Sequence, residues 1–255
     1  MEALDLGRLC TCLAEAGARI PRIVVFGTVG STQDEAASLA LAGAPAGTLV
    51  VAAAQTAGRG RVGRSWHSPS GGMYASLVLR PAEPPSRWPV LAVMAGTALA
   101  EALSGAGIIA VTVKWPNDVL LGGRKVAGLL AESHAGEGFA LLGLGLNVLL
   151  DRDLPPGIRD IATDLGSHVP ATADATEVCA GALAAIAAAC IDVSAGMVLD
   201  PLRASRWLDR SREVVVAGVR GWPAGITAEG ELVLDVPGGT SVRISMGEVS
   251  DARGD

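Results

Sequence analysis

Arginines 59, 61 and 64 alternate with glycines 58, 60 and 63 in the stretch Gly58-Arg59-Gly60-Arg61-Val62-Gly63-Arg64-Ser65-Trp66. Glycine lets a backbone approach a ligand closely, and three guanidiniums on one short loop concentrate positive charge. The chemistry suited to that pattern is the binding of an anion. The segment is not a P-loop, because GxxxxGK[ST] is absent, and not a GxGxxG turn, because no helical pattern follows. An RGG-type RNA tail would be long, basic and disordered, whereas this single copy lies between two strand patterns.

A second group follows downstream. Lys114-Trp115-Pro116-Asn117-Asp118 closes a strand pattern and turns at the proline, whose predecessor avoids the helical region, so polar side chains are presented at a strand end. Gly123 to Gly128 carries Lys125, and Gly143-Leu144-Gly145-Leu146-Asn147-Val148 ends a further strand pattern. Ser31, Thr32, Gln33 and Gln55 supply neutral polar groups near a strand–turn–helix junction. Each has a plain structural alternative: a helix N-cap for Thr32, a turn cap for Asp118, a solvated strand lysine for Lys125, a core indole for Trp66 and a turn amide for Asn147. Cys10, Cys12, Cys179 and Cys190 form no CxxC pair and no zinc-ligand spacing, and read as core residues or surface thiols of a reducing compartment. His67, His134 and His168 are scattered, so no metal cage is expected.

The elements that must position these groups can be read from periodicity. A strand is predicted from Arg22 to Phe26, a turn from Gly27 to Gly30, and a helix opened by a capping box of Thr32 and Glu35. A second strand runs from Thr48 to Ala53, and Gln55 to Gly72 is a long loop with glycines 58, 60, 63, 71 and 72, expected to be mobile when empty. Met73 to Leu79 is a strand, Pro84 to Leu103 a long helix, and Ala110 to Lys114 a strand. Asp118 to Leu150 is a three-stranded meander turning at Gly122-Gly123 and near Gly136 to Gly138. Helices are expected at Ala173 to Val193 and Pro201 to Leu208. Beyond Ser211 short strands follow: Glu213 to Val219, Ala224 to Ala228, Glu231 to Val236 and Ser241 to Ser245, about 45 residues in all and marginal for a domain standing alone.

Composition agrees with a packed globular protein. The 255 residues are 50% hydrophobic and 18% charged, which excludes a disordered chain, a coiled coil and a collagen-like fibre. Two Phe and one Tyr stand against five Trp, so Ala, Leu, Val and Ile must build the core and a tryptophan is apt to hold a special position. The net charge of −6 and pI near 5.1 weigh against non-specific nucleic-acid binding. The acidic start lacks the basic n-region of a signal peptide, and the apolar run Val178 to Ile191 falls short of the roughly 20 residues needed to cross a bilayer. A cytoplasmic protein with no membrane partner is expected.

Taken in order, GRGRVGRSW, KWPNDVL, the run from Gly123 to Gly128 and GLGLNV, with STQ at 31–33 and Gln55, resemble the biotin protein ligases over roughly Gly27 to Val148. The first two separate the chain from the related lipoate ligases. The resemblance implies an α+β fold: a class II synthetase-like catalytic domain with a mixed sheet at residues 1–210, and a C-terminal SH3-like β-barrel at 211–255. It implies a two-step reaction, in which biotin and ATP form biotinyl-5′-adenylate and a lysine of a biotin carboxyl carrier domain then takes the biotin. The short stretch before the first strand leaves no room for the family's DNA-binding region, so no DNA partner is expected. Monomer and homodimer stay open. Alternatives are a lipoate or octanoate ligase or transferase of the same fold, and a non-catalytic nucleic-acid-binding module.

By that resemblance Ser31, Thr32, Gln33 and Gln55 hydrogen-bond biotin, with Arg59, Gly60, Arg61, Lys125 and Gly128 completing its site. The family more often has Asn where Gln33 stands. Gly58, Arg61, Trp66, Asn117, Lys125 and Asn147 bind the nucleotide. Arg59, Arg61, Lys125 and Asp118 are the catalytic candidates, Asp118 toward the acceptor amine. Mg²⁺ is expected to be held mainly by ATP phosphates.

Overall fold

The structure, a computed structural model, describes residues 4–150, 154–193 and 199–252. The elements in chain order are α1 (Leu6–Glu15), β1 (Ile23–Val29), α2 (Thr32–Leu41), β2 (Leu49–Gln55), β3 (Gly72–Leu79), α3 (Val90–Gly105), β4 (Val111–Lys114), β5 (Asp118–Leu121), β6 (Arg124–His134), β7 (Phe139–Asn147), α4 (Pro156–Arg159), α5 (Ala175–Val193), α6 (Pro201–Trp207), and then β8 (Val214–Val216), β9 (Val219–Ile226), β10 (Leu232–Val236), β11 (Thr240–Ile244) and β12 (Ser250–Asp251). Strands β1 to β7 form a seven-stranded sheet in the order β1-β2-β3-β7-β6-β5-β4, with β1 parallel to β2 and the other pairs antiparallel. This is an α+β architecture with a mixed sheet.

The central strands β3 and β7 are buried on both faces, which explains their near-continuous apolar runs. On one face, Met73, Ala75, Leu77, Leu142, Leu144 and Leu146 pack into the main core with residues of α1, α3 and α5. On the other, Ala36 and Ala40 of α2 pack against Val50, Val78, Phe139 and Leu141. That second face carries glycine at positions 143 and 145, and there the cleft described below opens.

Strands β8 to β12 form a five-stranded antiparallel sheet in the order β11-β10-β9-β8-β12. Its Ile226, Leu232 and Leu234 join the same core as the larger sheet. The buried indole of Trp115 donates to the Gly230 carbonyl at 2.9 Å, and Ser205 Oγ of α6 accepts from the Ile226 amide at 2.8 Å.

Several sequence expectations are corrected. Helix α3 starts at Val90 instead of Pro84: Pro85–Arg87 is a single 3₁₀ turn, and Pro89, which lacks an amide hydrogen, caps the true helix. The expected strand Glu213 to Val219 is a hairpin, β8 turning into β9 through Ala217 and Gly218, both at positive φ. The N-cap of α2 is Ser31, not Thr32, and its side chain makes no capping bond. Thr32 is drawn instead to Gln55. The meander Asp118 to Leu150 holds as β5, β6 and β7.

Candidate active site

Gly128 on β6 and Gly145 on β7 are register partners, and together they make a flat patch on the sheet. The Trp66 indole lies on it. A Cβ on Gly128 would meet the ring at 2.8 Å, and one on Gly145 at 2.5 Å. Two residues along β7, roughly 7 Å away, Gly143 gives the same room to the Gln33 side chain, 3.2 Å from where its Cβ would be. Glycines at alternate positions of one strand thus open one face of the sheet, while Leu142, Leu144 and Leu146 fill the other.

A chain of hydrogen bonds runs beside this floor. Ser76 Oγ and Thr32 Oγ1 are 2.8 Å apart, Thr32 Oγ1 donates to Gln55 Oε1 at 3.1 Å, and the Thr32 amide donates to the same oxygen at 2.8 Å. Gln55 Nε2 donates to Ser68 Oγ at 3.0 Å, and Ser68 donates to the Trp66 carbonyl at 3.0 Å. Thr32 and Gln55 therefore hold each other. Ser31 Oγ, Gln33 Oε1 and Trp66 Nε1 are buried without a hydrogen-bond partner among the described residues. A buried polar atom left unpaired costs about 1–3 kcal/mol, so these groups suit a polar ligand that satisfies them.

Beyond Trp66 the cleft is cationic. Lys125 Nζ sits 4.9 Å from the centre of the Trp66 ring and 2.7 Å from Asp118 Oδ1. The Lys125 backbone is bridged along one edge to the segment 161–163: its amide donates to the Ile161 carbonyl at 2.8 Å and its carbonyl accepts from the Thr163 amide at 2.9 Å. The arginine loop is a built hairpin, closed by Gly60 N to Arg64 O at 2.7 Å and Trp66 N to Gly58 O at 2.9 Å. Arg61 donates to two neutral acceptors, Asn117 Oδ1 at 3.2 Å and the Gly247 carbonyl at 3.4 Å. Arg64 pairs with Glu248 at 2.6 Å, and Arg59 pairs with Asp34 at 2.6 Å and Glu132 at 3.1 Å. The hydrogen bond to Glu132 above all, and then that to Asp34, raise the Arg59 guanidinium above its ordinary value against partial desolvation.

Of the residues expected from sequence, Ser31, Thr32, Gln33, Gln55, Arg59, Gly60, Arg61, Trp66, Asn117, Asp118, Lys125 and Gly128 line this one cleft. Gly58 and Asn147 do not. Gly58 stands at the base of the hairpin, where a Cβ would strike Ser68 Oγ at 2.4 Å. The Asn147 amide donates to the Thr163 carbonyl at 3.1 Å and the Lys125 carbonyl at 3.4 Å, tying the ends of β7 and β6 to the segment 161–163. Sequence reasoning missed Glu248 and Val249, which reach the cleft from the connection between β11 and β12. No local signal marks them.

The model of the biotin/lipoate A/B protein ligase family matches residues 26–148. A biotin–[acetyl-CoA-carboxylase] ligase of Mycobacterium tuberculosis is 33% identical over 264 residues, covering 98% of this chain and 96% of that protein. The bifunctional ligase/repressor BirA of Bacillus spizizenii is 44% identical over 142 residues, which are 54% of this chain and 44% of that protein, so the chain spans less than half of that relative. Among solved structures, the biotin protein ligase from Aquifex aeolicus in complex with biotin and ATP is 29% identical with a TM-score of 0.74, covering 91% of this chain and 98% of that one. The family match takes in nearly every cleft residue contributed by β1 to β7, and the likeness to the mycobacterial ligase runs almost end to end: the chain belongs to the biotin protein ligases of the biotin/lipoate A/B protein ligase family.

Proposed function

We propose that the protein is an ATP-dependent biotin ligase that makes biotinyl-5′-adenylate and transfers the biotin to a lysine of a biotin carboxyl carrier domain in the cytoplasm. The observation that carries this reading is the polarity of the cleft: unpaired buried Gln33 Oε1 on one side of the Trp66 indole, and the Lys125 ammonium on the other. A polar urea on an apolar body that ends in a carboxylate suits that order.

In the first step a biotin carboxylate oxygen attacks the α-phosphorus of ATP. The new C–O–P bond forms as the bond to the β-phosphate oxygen breaks, and pyrophosphate leaves with the electron pair. Carboxylic acids titrate near pH 4, so the nucleophile is already ionised and no general base is needed. The barrier lies in bringing two anions together. Lys125 and Arg61 offset that repulsion, Arg61 having no carboxylate partner among the described residues. Mg²⁺ would be held mainly by the ATP phosphates and would lower the triphosphate charge; Asp118, the carboxylate paired with Lys125, is engaged by that ammonium. In the second step a neutral lysine amine attacks the anhydride carbonyl, AMP leaves, and Asp118 positions the amine or takes its proton.

The test is pyrophosphate release with biotin or lipoate, followed by intact mass of a carrier domain. Biotin-dependent release and a single biotin adduct are expected. Release with lipoate and not biotin would move the protein to the lipoate branch, and release with neither would overturn the reading.

A further inference from the structure

We propose that Arg59 is a positioning residue, the pin that holds Gly60 and Arg61 over the cleft, and not one of the cations that meet the substrate anions. The inference rests on the ligase reading above and deepens it. Arg59 stands on the stem of the hairpin, bridged to Ser65, while Arg61 lies in its tip. Its guanidinium donates to Asp34 Oδ1 at 2.6 Å in the first turn of α2, and to Glu132 Oε2 at 3.1 Å and Oε1 at 3.3 Å on β6. One side chain thereby ties the loop to two elements.

Charge argues the same way. Two carboxylates around one guanidinium leave a local excess of negative charge, a poor place for a carboxylate or phosphate. Arg61, two residues on, donates to neutral oxygens alone among the described residues and keeps its charge for a ligand. Three arginines that look alike in sequence thus divide their work: Arg59 and Arg64 are spent on carboxylates of the body and of the smaller sheet, and Arg61 is left for chemistry.

The two roles for Arg59 predict opposite signs when its carboxylates are removed, and neither Asp34 nor Glu132 belongs to the binding machinery. The experiment is the double variant Asp34→Ala/Glu132→Ala in the full chain. A pin that is lost loosens the loop. We expect tryptic cleavage at Arg61 and Arg64 without ligand, and dissociation of preformed biotinyl-adenylate, each to rise roughly threefold to tenfold, the range for two partly exposed ion pairs. The rate constant of pyrophosphate release in a single turnover should stay within about twofold, whereas a simple loss of folded protein would lower its amplitude and leave the adenylate off-rate unmoved. Slower adenylate dissociation or a lower KM for biotin or ATP would show a freed ligand cation and overturn the proposal, as would no change in cleavage. The milder pair Asp34→Asn/Glu132→Gln should move in the same direction by less, and serves if the first variant folds poorly. Wild-type protein that releases no pyrophosphate from biotin and ATP would sink the ligase reading alone, since ligand-free cleavage still decides the pin.

Discussion

The Lys125 ammonium lies 2.7 Å from Asp118 Oδ1, an ion pair between adjacent strands β6 and β5 in which the two side chains keep only 27% and 20% of their exposure. Asp118 therefore aims Lys125, and in the proposed transfer step it would also serve the acceptor amine. Lys125→Ala should lower pyrophosphate release by about 10² to 10³, the usual cost of one preorganised donor. Asp118→Asn loses the charge but keeps an oxygen beside the ammonium, and should retain more adenylation than transfer. Asp118→Ala removes that oxygen as well and should lose both. Pyrophosphate release without carrier, beside single-turnover transfer from preformed adenylate, separates the three; an Asp118→Asn variant as poor in adenylation as Lys125→Ala would place the carboxylate in the nucleotide site.

Arg61→Gly should weaken retention of the adenylate more than its synthesis. Among the described residues the side chain is held by Asn117 Oδ1 and the Gly247 carbonyl and by no carboxylate, so its removal opens the cleft without breaking an ion pair there. Escaped adenylate would label bystander lysines. Mass spectrometry of a mixture with serum albumin reads this, and labelling as selective as wild type at similar turnover counts against it.

Gly145→Ala puts a Cβ 2.5 Å from the Trp66 indole. The strand cannot move, because Leu144 and Leu146 on either side are core residues, so the indole must. We expect a loss of about 1–3 kcal/mol in urea unfolding, the usual cost of overpacking, and weaker biotin binding. Adding Trp66→Ala should recover most of the stability and none of the affinity. A double variant no more stable than Gly145→Ala alone would mean that the clash lies elsewhere.

Thiol reactivity should divide two and two. Burial pushes Cys179 and Cys190 up to about 12 and raises the Cys10 thiol as well, but Cys10 and Cys12 on α1 keep partial exposure. Thiolate is the reactive form, so even at pH 9 the native protein should take up iodoacetamide quickly at Cys10 and Cys12 alone, and at all four sites in denaturant. Peptide mapping reads the sites; native labelling of Cys179 at the pace of Cys10 would contradict the packing of α5.

The spacing of residues along the chain carried the chemistry a long way. Alternate glycines at 143 and 145, the glycines and arginines of 58 to 64, and a proline-turned strand end at 114 to 118 are local patterns, and a period of two already implies that both glycines share one face. Local pattern also misled where two partners compete for one group. Thr32 and Glu35 have the spacing of a capping box, yet the Thr32 amide goes to Gln55, 23 residues away, because that bond is made in the buried floor of the site. The β8–β9 turn gave no sign of itself, since Ala217 at positive φ is an unusual choice for a position that favours Gly or Asn.

What the sequence by itself determined was which groups exist and on which side of a strand or loop each falls, because periodicity and turn chemistry act over a few residues. Tertiary structure alone decided what each charge faces. The order β3-β7-β6 brings Gly128 opposite Gly145 and makes the seat for Trp66. Docking of the smaller sheet brings Glu248 to Arg64 across 184 residues of chain. Packing of α2 and β6 sets Asp34 and Glu132 about Arg59, and leaves Arg61 between neutral oxygens. Coulomb and hydrogen-bond energies depend on distance through space and on local burial, and neither is written in the spacing of residues along the chain.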